Sequence, residues 1–207
     1  MEKPPPKVFK VKDPDPDDKF SDIHPHLPQP PALLLIVGSV KQGKSNLLVN
    51  LLCNPDMYKD KFDIVKIISN TLNADPKGKL MNKYFECEDH YTDEMVTDII
   101  ESQKKYEDFE RPSIALVLDD ILTKDFKKSN AVSFLATRFR HYGIGLLAFT
   151  TQSFRAVSGL IRNNATDVII MKQQNTKELE KIAEEYGAEL ADQISVLSNG
   201  VARGVIS

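Results

Sequence analysis

A three-layer α/β sandwich around a mainly parallel sheet is the fold this sequence predicts, and three observations predict it. Apolar runs without alternation recur along the chain, the first being Ala32-Leu33-Leu34-Leu35-Ile36-Val37. Stretches with apolar residues at helical spacing separate these runs. A glycine-bounded loop, Gly38 to Ser45, joins the first run to the first helical stretch. Continuous hydrophobicity marks a strand covered on both faces, which is the condition of a parallel sheet flanked by helices. Strands alternating with helices then give right-handed crossovers.

Each element has its own signal. Leu47, Leu48, Leu51 and Leu52 recur at helical spacing after the first strand. A second strand is expected over residues 64–69, a third over 114–118, a fourth over 144–150 and a weaker fifth over 167–171. Met95, Ile99 and Ile100 place a helix before the third strand, and Val132, Leu135 and Phe139 place one before the fourth. A last helix is expected over residues 176–186, with Thr176 as N-cap and Gly187 as C′. Residues 72–112 are long for one crossover and read as an acidic insertion on the rim of the sheet. It holds a turn at Asp75-Pro76-Lys77-Gly78 and an acidic helix over 93–106.

Nine of the 12 prolines lie at or before Pro31. Proline lacks an amide donor and disfavours helix in the residue before it. Residues 1–31 therefore read as an extended arm, either a tether or a partner-binding strap, and residues 32–207 as the domain. A chain of 207 residues supports one core of good size, and 41% hydrophobic with 28% charged residues is a globular composition. A net charge of -3 excludes a polybasic nucleic-acid coat but not a local basic surface. Cys53 and Cys87 form no CxxC pair, and Cys87 with His90 is half a zinc spacing without a second half, so both thiols read as reduced, small hydrophobes. No apolar run reaches the roughly 18 residues of a membrane span, and no secretory h-region opens the chain, so neither a span nor a signal peptide is expected.

The loop Gly38-Ser39-Val40-Lys41-Gln42-Gly43-Lys44-Ser45 is G-x-x-x-x-G-K-S, the phosphate-binding loop, lying between a strand and a helix as its chemistry requires. Its glycines let backbone amides turn toward phosphate oxygens at a helix N-terminus. Lys44 is expected on the β- and γ-phosphates and Ser45 on Mg²⁺. The third strand runs into Asp119-Asp120. Asp119 can hold Mg²⁺ through its water shell, and Asp120 can orient or deprotonate an attacking water. The fourth strand ends in Thr150-Thr151-Gln152, where Gln152 either reports the γ-phosphate or simply starts a loop. No guanine-reading motif is present, which leaves ATP as the default nucleotide.

Four stretches carry a resemblance. They are the loop 38–45, Leu116-Val117-Leu118-Asp119-Asp120, the run from Arg140 through Gly143-Ile144 to Gln152, and Gly159-Leu160-Ile161-Arg162-Asn163-Asn164. Together they resemble the FtsK–HerA branch of P-loop NTPases, with its RecA-like core. Within that branch they look most like the genome-packaging ATPases of poxviruses and other large nucleocytoplasmic DNA viruses. The resemblance covers residues 31–186. It implies an ATP-hydrolysing translocase that drives double-stranded DNA into a capsid. It further implies a ring of identical subunits, often hexameric, a capsid or portal-like partner, and a host-cytoplasm or virion location. It also implies an arginine given to each site by the neighbouring subunit, which maps onto Arg140, with Arg138 and Arg162 as competitors. Arg140 reads equally as a helix-terminal charge facing the dipole. Family members continue into another strand, and residues 199–205 leave room for a short closing one.

The mild net charge averages two unlike segments. Residues 75–111 carry -5, whereas residues 124–172 carry +6. Phosphate neutralisation supplies sequence-independent DNA affinity. Lys124, Lys127, Lys128 and Arg155 are the candidate contacts, against the plainer reading of a solvated face. The alternative function is a P-loop ATPase or kinase of another class that does not act on DNA. The double acid and Gln152 disfavour a kinase, and the stretch after the fourth strand lacks an arginine-rich lid.

Overall fold

The computed structural model describes residues 20–73, 76–108, 110–121, 129–197 and 204–206, the side chains of 188–197 and 204–206 excepted. Its strands are β1 (Ala32–Val37), β2 (Ile64–Ser69), β3 (Glu86–Glu88), β4 (Ile114–Asp119), β5 (Ile144–Thr151), β6 (Asp167–Ile170) and β7 (Gly204–Ile206). Its helices are α1 (Lys44–Cys53), α2 (Pro76–Tyr84), α3 (Asp93–Gln103), α4 (Asn130–Arg138), α5 (Gly159–Asn164) and α6 (Thr176–Leu197). The sheet order is β3-β2-β4-β5-β1-β6-β7, parallel throughout except for β7, which pairs antiparallel with β6. The expected three-layer α/β sandwich is therefore the observed one.

The apolar runs became strands for the reason the sequence suggests. Every residue of β1, β4 and β5 is buried. Leu33, Leu35, Leu116 and Leu147 face a core layer shared with α3, α4, α5 and α6. Leu34, Ile36, Val117 and Ala148 face the opposite layer, which α1, Met81 of α2 and the chain before β1 cover. Removing both faces of these strands from water at about 25 cal/mol per Å² is the main favourable contribution to folding.

Four expectations change. The segment 72–112 is no rim appendage: Val96, Ile99 and Ile100 of α3 are buried in the main core, and β3 extends the sheet beside β2. Of the turn expected at Asp75-Pro76-Lys77-Gly78, Asp75 lies outside the described residues and the other three open α2, with Pro76 in its first turn, where a missing amide donor is harmless. Gly78 is required there, because a Cβ would stand 2.1 Å from the Leu72 carbonyl oxygen. The last helix does not stop at Gly187 but runs to Leu197. A single glycine costs about 1 kcal/mol against alanine, too little to end a helix whose following residues are good helix formers. Nor is Thr176 the N-cap: the Asn175 carbonyl and Oδ1 accept from Glu178 and Lys177 amides, which makes Asn175 the cap.

Residues 20–31 lie along the domain. Ile23 is buried, Phe20 packs on Phe62 at 5.6 Å between centroids, and Gly145 leaves room for both rings against β5. The buried Tyr58 hydroxyl donates to the Pro28 carbonyl at 2.6 Å. Among the described residues no helix is long and apolar enough to cross a membrane.

Tyr58→Phe should lower the unfolding free energy by about 1–2 kcal/mol, since it leaves a buried carbonyl without its donor. Urea denaturation of both proteins measures this, and an unchanged midpoint would show that the Pro28 contact contributes nothing.

Candidate active site

Parallel register brings the candidate residues together. Val37 pairs with Thr151, Asp119 with Thr150, and Ser69 with Asp119. The chain leaves β1, β4 and β5 in one row, so the loop at residues 38–45, Asp120 and Gln152 emerge side by side at the carboxyl edge.

The loop is held from both flanks. The Gly38 amide donates to the Thr151 carbonyl at 3.0 Å, and the Ser39 amide to the Lys172 carbonyl at 3.2 Å. Val40 stands exposed at the tip, and Lys41 takes a left-handed backbone with φ 61°. Gln42 closes the turn by donating its amide to the Ser39 carbonyl at 3.4 Å. Gly43 is the N-cap of α1 with φ 98°, a conformation that favours glycine, and supplies no side-chain cap. The first amides of α1, at Lys44 and Ser45, are thereby left for an outside acceptor, the arrangement that binds phosphate. Lys44 Nζ folds back onto the loop, donating to the Gly38 carbonyl at 2.6 Å and the Ser39 carbonyl at 3.2 Å. Partial burial lowers its pKa, against the opposing pull of Asp120 and Asp119. Ser45 is half-buried at the start of α1.

Asp119 is 4% exposed and fully engaged. Its Oδ2 accepts from Ser69 Oγ at 2.8 Å, and its Oδ1 accepts from Thr150 Oγ1. Asp120 turns into the left-handed region at φ 51°, with its amide on the Thr150 carbonyl and hydroxyl, both at 3.2 Å. The Asp120 carboxylate then accepts from Gln152 Nε2 at 2.6 Å. The two acids have separate tasks by geometry: Asp119 is locked into the sheet edge, while Asp120 faces outward toward Gln152.

A cavity of about 790 Å³ adjoins this edge, lined by Ser39, Val40, Gln152, Gln173, Asn175 and Glu178 among others. Gln174 donates its amide to Ser39 Oγ at 3.0 Å, and Ser39 Oγ donates to Gln173 Oε1 at 3.4 Å.

The arginines lie elsewhere. Arg140 is exposed in the 3-10 turn before β5, beside Phe139 at 5.5 Å from the ring centroid. Gln152 follows the same strand, whose eight residues at about 3.3 Å span about 26 Å. Arg140 is therefore at the opposite edge of the sheet from the phosphate loop of its own chain. Arg138 lies over Phe134 at 4.6 Å. Arg162 donates to Glu185 at 2.7 Å and to the Val157 carbonyl, so internal contacts hold it. Arg155 is exposed just beyond Gln152. Lys124, Lys127 and Lys128 lie outside the described residues.

Sequence reasoning did not find Ser69, Thr150 as a ligand of Asp119, Gln173 or Glu178. Ser69 and Thr150 left one faint trace, a polar residue closing an apolar run. Glu178 left another, since Asn175-x-x-Glu178 is a helix-start pattern.

The chain matches no protein-family model and no curated protein. Among solved structures it is similar to the genome packaging NTPase B204 of Sulfolobus turreted icosahedral virus 2. With sulfate, that protein gives a TM-score of 0.59 at 17% identity over 85% of this chain and 96% of that one. In complex with ATP-gammaS it gives 0.55 at 19% identity over 79% and 85%. The chain is also similar to ATPases 2 and 3 of EssC from Geobacillus thermodenitrificans, with a TM-score of 0.52 at 16% identity over 71% of this chain and 33% of that one. The fold inferred from the sequence is the fold of these NTPases and ATPases, and the resemblance to packaging ATPases holds at the level of the fold.

Asp119→Ala should destabilise the protein by about 2–3 kcal/mol, because it strips the acceptor from two hydroxyls at a buried strand end. Chemical denaturation checks this, and a change below about 0.5 kcal/mol, the range of ordinary surface substitutions, would mean that Ser69 and Thr150 find other acceptors.

Proposed function

We propose that this protein is an ATP-hydrolysing DNA translocase that packages double-stranded viral DNA into a capsid. The observation that carries the ATPase reading is the meeting of the phosphate loop with Asp119, Asp120 and Gln152 at one edge of the sheet. A phosphate loop alone would suit any nucleotide binder. The outward carboxylate paired with an amide adds a place to hold a water against the γ-phosphate. The fold likeness to the packaging NTPase B204 supports the choice of DNA over a small-molecule substrate.

In this reading the amides of residues 38–45 cradle the phosphates. Lys44, which donates to the Gly38 and Ser39 carbonyls, turns to the β- and γ-phosphates. Burial lowers its pKa, and an arriving polyphosphate opposes that shift. Asp120 accepts a proton from the attacking water or orients it, and Gln152 holds the Asp120 carboxylate and faces the γ-phosphate. The Ser45 hydroxyl directly and the Asp119 carboxylate through the ion's water shell make an all-oxygen donor set, which fits Mg²⁺; that ion would neutralise charge on the transferring phosphoryl group. Arg140 serves the site of a neighbouring copy in a homo-oligomeric ring, where a guanidinium stabilises the developing charge. Arg155, with Lys124, Lys127 and Lys128, contacts DNA phosphates.

Duplex DNA should stimulate ATP turnover in the wild-type protein, and the stimulation should fall steeply as salt rises, since phosphate contacts release counterions. Lys44→Ala should abolish turnover with or without DNA. A turnover indifferent to DNA would favour a P-loop enzyme of another class, and full turnover in Lys44→Ala would remove the site assignment itself.

Mixing Arg140→Ala protein with Lys44→Ala protein should restore part of the lost turnover, because a mixed interface joins an intact phosphate loop to an intact Arg140. Oligomers that mix, shown by sizing, yet never regain turnover at any ratio would exclude Arg140 as the shared residue.

A further inference from the structure

We propose that Glu178 is a positioning residue for this site, holding the turn after β5 so that Gln152 meets Asp120. The inference rests on the ATP-hydrolysis reading above. Glu178 is 6% exposed, and a carboxylate so buried is costly unless its oxygens are bonded. Both are. Oε1 accepts from Ser153 Oγ at 2.8 Å, and Oε2 accepts from the Arg155 amide at 3.1 Å.

The position of Glu178 in its helix makes this arrangement unusual. It is the third residue of α6, after the cap at Asn175. An acid there commonly reaches back to the cap's own amide. Glu178 instead reaches across the chain to the residues just beyond Gln152. Gln152 itself is exposed, so packing does not aim its side chain. Its aim comes from the backbone on either side. Thr151 is fixed in the sheet beside Val37, and its hydroxyl both accepts from the Ser153 amide and donates to the Ser153 carbonyl, each at 3.0 Å. Glu178 fixes Ser153 and Arg155 from the other side. Gln152, pinned between them, donates to Asp120 at 2.6 Å.

The same segment touches the phosphate loop. Gln174 and Gln173 bond to Ser39, four residues and five residues before Glu178. Gln152 is therefore referenced through Glu178 to the loop that would hold the phosphates. A misplacement near 1 Å in such a group can cost up to about 100-fold in rate.

The test measures ATP turnover, ADP affinity and thermal midpoint on the full chain. The variants are Glu178→Ala, Glu178→Gln, Ser153→Ala, Gln152→Ala and the double variant Glu178→Ala/Gln152→Ala. Glu178→Ala should lower kcat roughly 10- to 100-fold while ADP affinity stays within about twofold, the pattern of a group that acts on the chemical step. Glu178→Gln, which keeps an acceptor for Ser153, should fall between the two. In the Gln152→Ala background Glu178→Ala should cost nothing further, because it acts through Gln152. An unchanged kcat in Glu178→Ala, or a full second loss in the double variant, overturns the proposal. Should Glu178→Ala not fold, Ser153→Ala takes its place in the same cycle with the same two overturning results. A wild-type protein that neither binds nor hydrolyses ATP defeats the ATPase reading, and this proposal with it. Active wild type beside an equally active Glu178→Ala defeats this proposal alone.

Discussion

The in-register ending of parallel strands is the constraint on which the site depends. Three strands stop within one residue of each other, with Val37 against Thr151 and Asp119 against Thr150. Because all three run the same way, the residues immediately after each strand must emerge at one edge. The ladders between the strands bring the loop at residues 38–45 to Asp120 and Gln152. A shift of one residue between β4 and β5 would turn Asp119 and Thr150 to opposite faces, since side chains alternate along a strand. The apolar faces on both sides forbid that shift. Packing of leucine and isoleucine is what keeps a carboxylate and a hydroxyl opposite one another.

At that edge the apolar sheet gives way to polar groups that must satisfy each other. Asp119 lies too deep for water to compensate it well, and Ser69 and Thr150 arrive from the strands on either side with the two hydroxyls it requires. Asp120, one residue on, has left the sheet and takes a left-handed backbone that aspartate tolerates better than most residues. The consecutive acids thus differ because one ends a strand and the next begins a turn. The sequence pattern Asp-Asp contains that difference only once the end of the strand is known.

Legibility in the sequence tracks the range of the interactions involved. β1, β4 and β5 announce themselves because two-sided burial imposes uninterrupted apolar runs, and the phosphate loop because its glycines answer to local backbone geometry. β3 is three residues, Glu86-Cys87-Glu88, at the sheet edge, where half-exposure requires no apolar run; the ladder offered by β2 makes it a strand. Gly187 reads locally as a stop, yet the helix passes through it. Glu178 is legible as a helix-start acid, and that local reading conceals its partners Ser153 and Arg155, more than 20 residues away. Residue type told which groups could serve, while the partners of a buried carboxylate depended on which segments the sheet brings together.

Strand direction also constrains any assembly in which Arg140 completes a site. The phosphate loop lies at the carboxyl edge of the sheet, and Arg140 lies before β5 at the other edge. One copy cannot bring them together across about 26 Å of buried strand. If Arg140 is the shared arginine, the carboxyl edge of one copy must face the amino edge of the next. Such a contact joins two different regions of the same chain, and in the ring proposed above each copy makes it head to tail with the next. The direction of the parallel sheet therefore makes a shared Arg140 a statement about assembly, because one copy alone cannot bring that arginine to its own phosphate loop.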